Sequence, residues 1–256
     1  MKHHVMAQAM IRAHLATFPP RAGILMQTVA SILPQVDRLC ICLNGYDAIP
    51  VALAKDDRIE AMIPDRDLKD AGKFAFPPAD DDIVLTIDDD ILYPPDYVTR
   101  TIAFFRTLPA DRHVLGYLGN AFVIKDDSGR RGWKNWMFHK RAPHVVKVDI
   151  LGTGTTCQLG RNLPRLDQIE DAKGFVDLRH ARHHAQAGRW MWIVPRDGGW
   201  LTSTMTQDLE ATGLFHTVNL ARPPAMQDEL RALIAGIGPH SGEQLARLRA
   251  AGLLPA

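Results

Sequence analysis

The chain has 256 residues, 46% of them apolar, which suffices for one α/β domain with a substantial core or for two small ones. A formal net charge of +1 gives no general attraction for nucleic acid, and three cysteines are too few for a disulfide framework. No stretch reaches the ~20 apolar residues of a membrane span, and Met1-Lys2-His3-His4 lacks the apolar core of a signal peptide. A cytoplasmic location is therefore expected, with peripheral attachment to a membrane left open.

Residues 9–16 are expected to form a weakly apolar first strand that runs into Ala16-Thr17-Phe18-Pro19-Pro20-Arg21. The prolines stop it and open a helix, because proline is tolerated in a first turn. Ile24, Leu25, Val29, Ile32 and Leu33 then recur at helical spacing. Residues 39–43 form a second strand, closed by the turn Asn44-Gly45, with Cys40 and Cys42 as buried thiols on one face. Residues 58–63 are a third strand candidate, and residues 83–87 a fourth and the most apolar. Pro94 and Pro95 open a helix with Val98, Ile102 and Phe105 on one side. This alternation predicts an α/β fold with a mostly parallel sheet flanked by helices on both faces. In such sheets ligands bind beyond the carboxyl ends of the strands.

The second half is less regular. Residues 113–124 and 144–150 read as strands and 151–156 as a small-residue loop. Residues 176–188 read as a helix, 190–194 as a short strand and 196–201 as a loop. Amphipathic helices close the chain around Leu230, Leu233, Ile234, Leu245 and Leu248. The expected organisation is one domain over residues 1–256: a donor half of about 1–110, an acceptor half of about 111–220 and C-terminal helices of about 221–256.

Asp88-Asp89-Asp90 is the most informative feature. It ends the apolar run Ile83-Val84-Leu85-Thr86-Ile87 and precedes Ile91-Leu92-Tyr93-Pro94-Pro95, so three acids sit at the tip of a core strand. Adjacent carboxylates repel one another and resist burial. A divalent cation relieves that penalty, and Mg²⁺ or Mn²⁺ takes carboxylate oxygens together with substrate phosphates. Asp80-Asp81-Asp82 lacks such a context and reads as a solvated turn. On a strand Asp88 and Asp90 would point one way and Asp89 the other.

With these segments in place, the chain resembles GT-A-fold glycosyltransferases, nearest to bacterial proteins of the glycosyltransferase family 2 type. The resemblance rests on residues 15–21, 35–45, 72–74, 85–94 and 151–155, taken in that order, and covers roughly residues 9–200. It implies that Asp88-Asp89-Asp90 is a D-x-D motif: Asp88 facing the ribose of a nucleotide-sugar, a UDP-sugar foremost, and Asp90 holding Mn²⁺ or Mg²⁺, with Asp89 between. It implies that Thr17, Pro19 and Arg21 line the nucleotide site, and that Asn44 stands where many relatives place an acid against the base. Asp70 and Lys73 resemble the segment that closes over base and diphosphate; an exposed charged turn is the alternative.

Inverting transfer to a glycan or other hydroxyl acceptor needs a carboxylate to take the acceptor's proton. The resemblance places it at the start of a helix well after the motif, where Asp177 and the pair Glu170-Asp171 both qualify. Asp177 matches the order better, although an acid in a first helical turn is also stabilised by the helix dipole alone. His180 and His184 have the i, i+4 spacing of zinc ligands but no third partner. With Asp177 they are expected to line an acceptor cleft. Arg179, Arg182 and His183 read as a solvated flank. Trp133, Trp136, Arg196 and Trp200 are candidates for the acceptor or donor walls, with core packing the commoner outcome for an isolated tryptophan. Gly152-Thr153-Gly154-Thr155-Thr156 lacks the Lys of a phosphate loop and reads instead as backbone that approaches a substrate closely. A sugar nucleotidyltransferase and a non-catalytic nucleotide-sugar-binding subunit are the rival readings. The loop after the first strand lacks the Gly-rich, basic character that the former would need.

Overall fold

The computed structural model describes residues 9–211, 213 and 221–254; the N-terminal tetrapeptide discussed above lies outside them. In chain order the first half contains β1 (Ile11–Thr17), α1 (Ala22–Ile32), β2 (Arg38–Leu43), β3 (Ile59–Met62), β4 (Ile83–Ile87), β5 (Ile91–Leu92) and α2 (Tyr97–Phe105). The second contains β6 (His113–Gly116), β7 (Gly119–Ile124), β8 (Arg131–Trp136), β9 (Val146–Val148), β10 (Ile150–Leu151), β11 (Thr155–Leu159) and α3 (Leu166–Ile169). It continues through α4 (Val176–Gln186), β12 (Trp190–Ile193), β13 (Thr202–Ser203), α5 (Gln207–Glu210), α6 (Pro224–Ala235) and α7 (Leu245–Ala250).

Eight strands form the central sheet in the order β3-β2-β1-β4-β11-β6-β12-β9. β3, β2, β1 and β4 run parallel, as does the β6–β12 pair, while β11 is antiparallel to both its neighbours and β9 closes the far edge antiparallel to β12. A period of two divides the side chains. Leu15, Leu39, Ile41, Leu85, Ile87, Leu115, Cys157 and Trp192 face α1, α2 and α7 in one core cluster. Cys40, Cys42, Val84, Val114, Met191 and Ile193 face the opposite layer, built from the 3-10 turn Lys69–Phe74, α4 and α6. Each fully buried aliphatic side chain contributes about 1.5–3 kcal/mol, so these two layers fix which face each strand turns to which layer.

Four expectations are corrected. Residues 113–124 are two strands, not one: the chain leaves the central sheet after Gly116 and enters a three-stranded sheet, β10-β7-β8, at Gly119. The strand expected at 144–150 divides likewise into β9 and β10. The loop expected at 151–156 already contains the start of β11, a fully buried strand at the middle of the sheet. Asp82 is not solvated: it is 2% exposed and accepts the Met10 N–H at 2.9 Å and the Ala79 N–H at 3.0 Å, with Arg12 3.7 Å away.

Because β11 is antiparallel, its first residue Thr155 lies opposite Ile87, the last residue of β4. The turn that enters β11, Gly152-Thr153-Gly154, therefore meets the acids that leave β4. β1 and β2 end at the same edge.

Candidate active site at the acidic turn

Asp88 follows the alternation of β4 and reaches toward the 3-10 turn, where it forms an ion pair with Lys73. Lys73 is 3% exposed. Burial pulls its pKa down, but Asp88, Asp177 and Asp70 together hold the ammonium above its usual value. Asp70 and Lys73 are thus not an exposed charged turn. Gly72 allows the placement, since a Cβ there would lie 2.6 Å from Cys42 Sγ. Asp70 accepts the Gly174 N–H at 2.5 Å, and its carboxyl is raised to about 6, chiefly by burial.

The turn entering β11 supplies the next layer. Gly154 packs so closely on the Asp88 carboxylate that a Cβ would sit 1.9 Å from Oδ2. The Tyr93 hydroxyl ties the two segments together: it accepts the Asp88 N–H at 3.0 Å and donates to Gly154 O at 2.7 Å. Lys73 Nζ lies 3.5 Å from Thr153 Oγ1. Thr153 donates both its N–H and its hydroxyl, each at 2.8 Å, to Asp177 Oδ1. Asp177 is raised by burial and by Asp88, against the pull of Thr153 and Lys73. Asp88, Lys73, Thr153 and Asp177 form one connected polar chain.

The other side of the turn faces α1. Arg21 Nη1 is 2.5 Å from Asp89 Oδ1 and 3.4 Å from Asp90 Oδ2. Strand alternation fails at Asp90 because β4 has ended at Ile87, and Asp90 reaches the arginine that holds Asp89 instead of sharing Asp88's lysine. Asp89 is buried and raised for that reason, with Arg21 and the Thr17 hydroxyl opposing the shift. Asp90 is raised by burial and then by Asp88, more than Arg21 offsets. Pro19 opens the 3-10 turn Pro19–Arg21 that aims the guanidinium, its own ring remaining exposed. Asn44 accepts the Leu68 N–H at 2.9 Å and donates to Lys69 O at 3.0 Å, so its amide clamps the loops after β2 and β3. The clamp helps hold Lys69 at a left-handed φ of 48°.

Other expected wall residues lie elsewhere. His180 and His184 do not line a cleft: both are 0% exposed, joined Nε2 to Nε2 at 3.0 Å, with His180 3.2 Å from Gln158 Oε1. Burial lowers both imidazoles, His180 to about 3. Glu170 and Asp171 pair with Arg66 and Arg179 on the surface, away from Asp88. Arg179 and Arg182 are not a free flank, since both bind Glu229 of α6 at 3.0 Å. Arg196 is buried against the carbonyls of Phe138, Val194 and Met137. Trp200 packs on Tyr97 and Tyr117. Thr153 was expected only as part of a close-approach backbone segment, and Tyr93 and Tyr46 were given no role by sequence. Tyr46 lies beside Thr17 and Asp89, and burial raises its phenol. Their one sequence signal was position: small residues or tyrosine flanking apolar runs.

Among the described residues no group of three or more His, Cys, Asp or Glu could hold a metal ion, and no helix is long and apolar enough to cross a membrane. The site itself has five carboxylates, Asp70, Asp88, Asp89, Asp90 and Asp177, around two cations, Lys73 and Arg21. Acid groups outnumber the basic side chains there.

No protein-family model and no curated protein matches the chain. Among solved structures it is similar to residues 1–349 of S. aureus TarS, at 13% identity and a TM-score of 0.50, over 95% of this chain and 83% of that one. A UDP complex of the same TarS segment aligns at 14% identity and a TM-score of 0.49, over 88% and 70% of the two chains. A 4-diphosphocytidyl-2C-methyl-D-erythritol synthase aligns at 13% and 0.47, over 81% and 98%. At these identities the likeness concerns the fold. The chain has a GT-A-like α/β fold, with the acidic turn at the edge where such sheets bind ligands.

Proposed function

We propose that this chain is a glycosyltransferase that moves a sugar from a nucleoside diphosphate donor, a UDP-sugar first among them, to a hydroxyl of a glycan or other acceptor, with inversion. The observation that carries the reading is the polar chain Asp88–Lys73–Thr153–Asp177 at the C-terminal edge of the sheet. Asp177 is the base: it takes the acceptor's proton as the hydroxyl attacks the anomeric carbon. The bond from that carbon to the diphosphate oxygen breaks, and its electron pair leaves with the nucleotide. Thr153 fixes Asp177 by two hydrogen bonds, and the raised carboxyl pKa makes it a stronger base than a solvated aspartate. Lys73 and Arg21 place positive charge where the leaving group gains negative charge. Thr17, Pro19 and Asn44 shape the nucleotide end, and Asp89 holds Arg21 in place.

Asp90 and Asp88 would hold Mn²⁺ or Mg²⁺, which supplies Lewis-acid stabilisation of the departing diphosphate when bound. The fit rests on the acid excess and on Asp90, whose carboxyl burial and Asp88 push up. The diphosphate and water would supply the other ligands. A role in building a surface glycan belongs to the same proposal.

The test is a thermal-shift screen of nucleoside diphosphates and nucleotide-sugars with Mn²⁺ or a chelator, followed by assay of nucleotide release. A ligand at 100 times its Kd stabilises by about 2.7 kcal/mol. Stabilisation that needs the metal, with acceptor-dependent release of nucleoside diphosphate, is expected. Equal shifts in chelator overturn the metal bridge. Pyrophosphate formed from a nucleoside triphosphate and a sugar phosphate would move the reading to nucleotidyl transfer, and binding without turnover to a non-catalytic subunit.

A further inference from the structure

The β7–β8 hairpin is opposite in charge to the acidic site. Between residues 124 and 144 lie Lys125, Arg130, Arg131, Lys134, Lys140 and Arg141, against Asp126 and Asp127 alone. All six cations are exposed. The chain carries a net charge of only +1, so the remainder is acidic and this is a local patch. β8 pairs with β7 alone and forms the edge of the three-stranded sheet. Direct cross-strand partners share a face. The pairs Phe122–Trp133 and Ile124–Arg131 therefore present one surface, with the two rings 5.0 Å apart and Arg131 over Phe122; Lys134, opposite Ala121, and Lys125, beside Gly132, belong to the other face, so the hairpin carries cations on both sides. Ile124, at 68%, and Met137, at 38%, are among the most exposed large apolar side chains described. A groove of about 410 Å³ runs beneath, between the hairpin and residues 238–243, with Arg131 and Lys134 on its wall.

Tryptophan, phenylalanine and isoleucine among Arg and Lys form the composition that sits at a lipid headgroup boundary, the apolar groups entering the acyl edge while the cations meet phosphate. We propose that the β7–β8 hairpin docks this chain on a bilayer carrying anionic phospholipids. Charge complementarity selects the occupant. Asp126 pairs with Arg130 at 2.9 Å, yet the six cations still outnumber the two acids of the segment, an excess that a neutral apolar protein partner would leave unmatched, and the exposed Ile124 has no use against a soluble polyanion. The base of the hairpin adjoins the acidic site: Gly119 pairs with Leu151, and Leu118 O accepts the Gly152 N–H at 2.9 Å, beside Thr153.

The test is co-sedimentation of the full chain with vesicles of phosphatidylcholine alone or with 30% phosphatidylglycerol, at low and physiological salt. Binding to the anionic vesicles only, weakened by salt, is expected. The triple variant K125Q/R130Q/K134Q should lower the partition coefficient on the order of 100-fold, at about fivefold per charge, and Ile124→Asn should lower it further. Circular dichroism and a melting curve check that both variants fold; these positions are exposed, so an unchanged melt is expected. No binding to anionic vesicles, unchanged binding by the folded variants, or full competition by soluble polyphosphate at matched ionic strength would overturn the proposal.

Discussion

Lys73 and Arg21 bring positive charge to the acidic turn Asp88–Asp90 from opposite faces of the sheet. Lys73 comes from the 3-10 turn over the face that carries Thr86, Thr156 and Gln158, and it connects onward through Thr153 to Asp177. Arg21 comes from the start of α1 on the apolar face and meets only Asp89 and Asp90 among the site's acids. The difference separates two duties of the proposed reaction. The lysine side has a second carboxylate with a fixed hydrogen-bond partner and can move a proton. On the arginine side the two carboxylates are ion-paired to the guanidinium, and that side suits a diphosphate.

Removing the base should break the comparison most severely. Asp177→Asn is expected to lower kcat about 10³-fold while donor binding, read by thermal shift, stays within a few-fold. Unchanged turnover would remove Asp177 from its role. Gly154→Ala comes next, since the new Cβ must displace the Asp88 carboxylate or the β11 backbone. A loss of about 100-fold in transfer is expected, with about 1–3 kcal/mol of stability measured by denaturant unfolding. The arginine side should be more forgiving. Arg21→Lys keeps the charge but loses the fork, and a KM for donor raised about tenfold with kcat little changed is expected. If kcat falls instead, the division of duties fails.

The smallest effect concerns Asp70. Its carboxyl titrates near 6 in the native chain and near the ordinary aspartate value when unfolded. Between those values the native state holds a proton that the unfolded state has lost. Stability should therefore fall as pH rises from about 4 to about 6 and level off above, by about 2 kcal/mol. Asp70→Asn retains an acceptor for the Gly174 N–H. Melting across pH should show that slope flattened, with a gain of similar size at pH 7. A wild-type slope retained in the variant would assign it to another group.

The parallel half of the sheet was legible because its strands are buried on both faces and read as unbroken apolar runs, such as Leu39–Leu43 and Ile83–Ile87. Gly and Pro mark their ends. The acids at the tip of β4 were legible for the same reason, as a polar interruption in an apolar context. β11 was missed because its face toward α4 is polar: Thr156 meets Thr86, and Gln158 meets His180. A buried strand with Thr, Thr and Gln in five positions has neither the apolar run nor the alternation that identifies strands. The histidines of α4 misled in the opposite sense. Their spacing placed them correctly on one face, but that face turns to the core, where they complete the same polar layer. Lys73 was singled out by the resemblance, but its pairing with Asp88, fifteen residues away, showed only in three dimensions.

The hydroxyls of Thr86 and Thr156 meet at 2.5 Å between β4 and β11. In a sheet held by aliphatic side chains alone, sliding one strand by two residues would return the same faces to the same layers at modest cost. A matched pair of hydroxyls forbids that slide, because either group would then be buried against carbon without a partner. The polar layer is thus an alignment key: it fixes how far β11 has travelled when it meets β4, and so which glycine comes to rest on the Asp88 carboxylate.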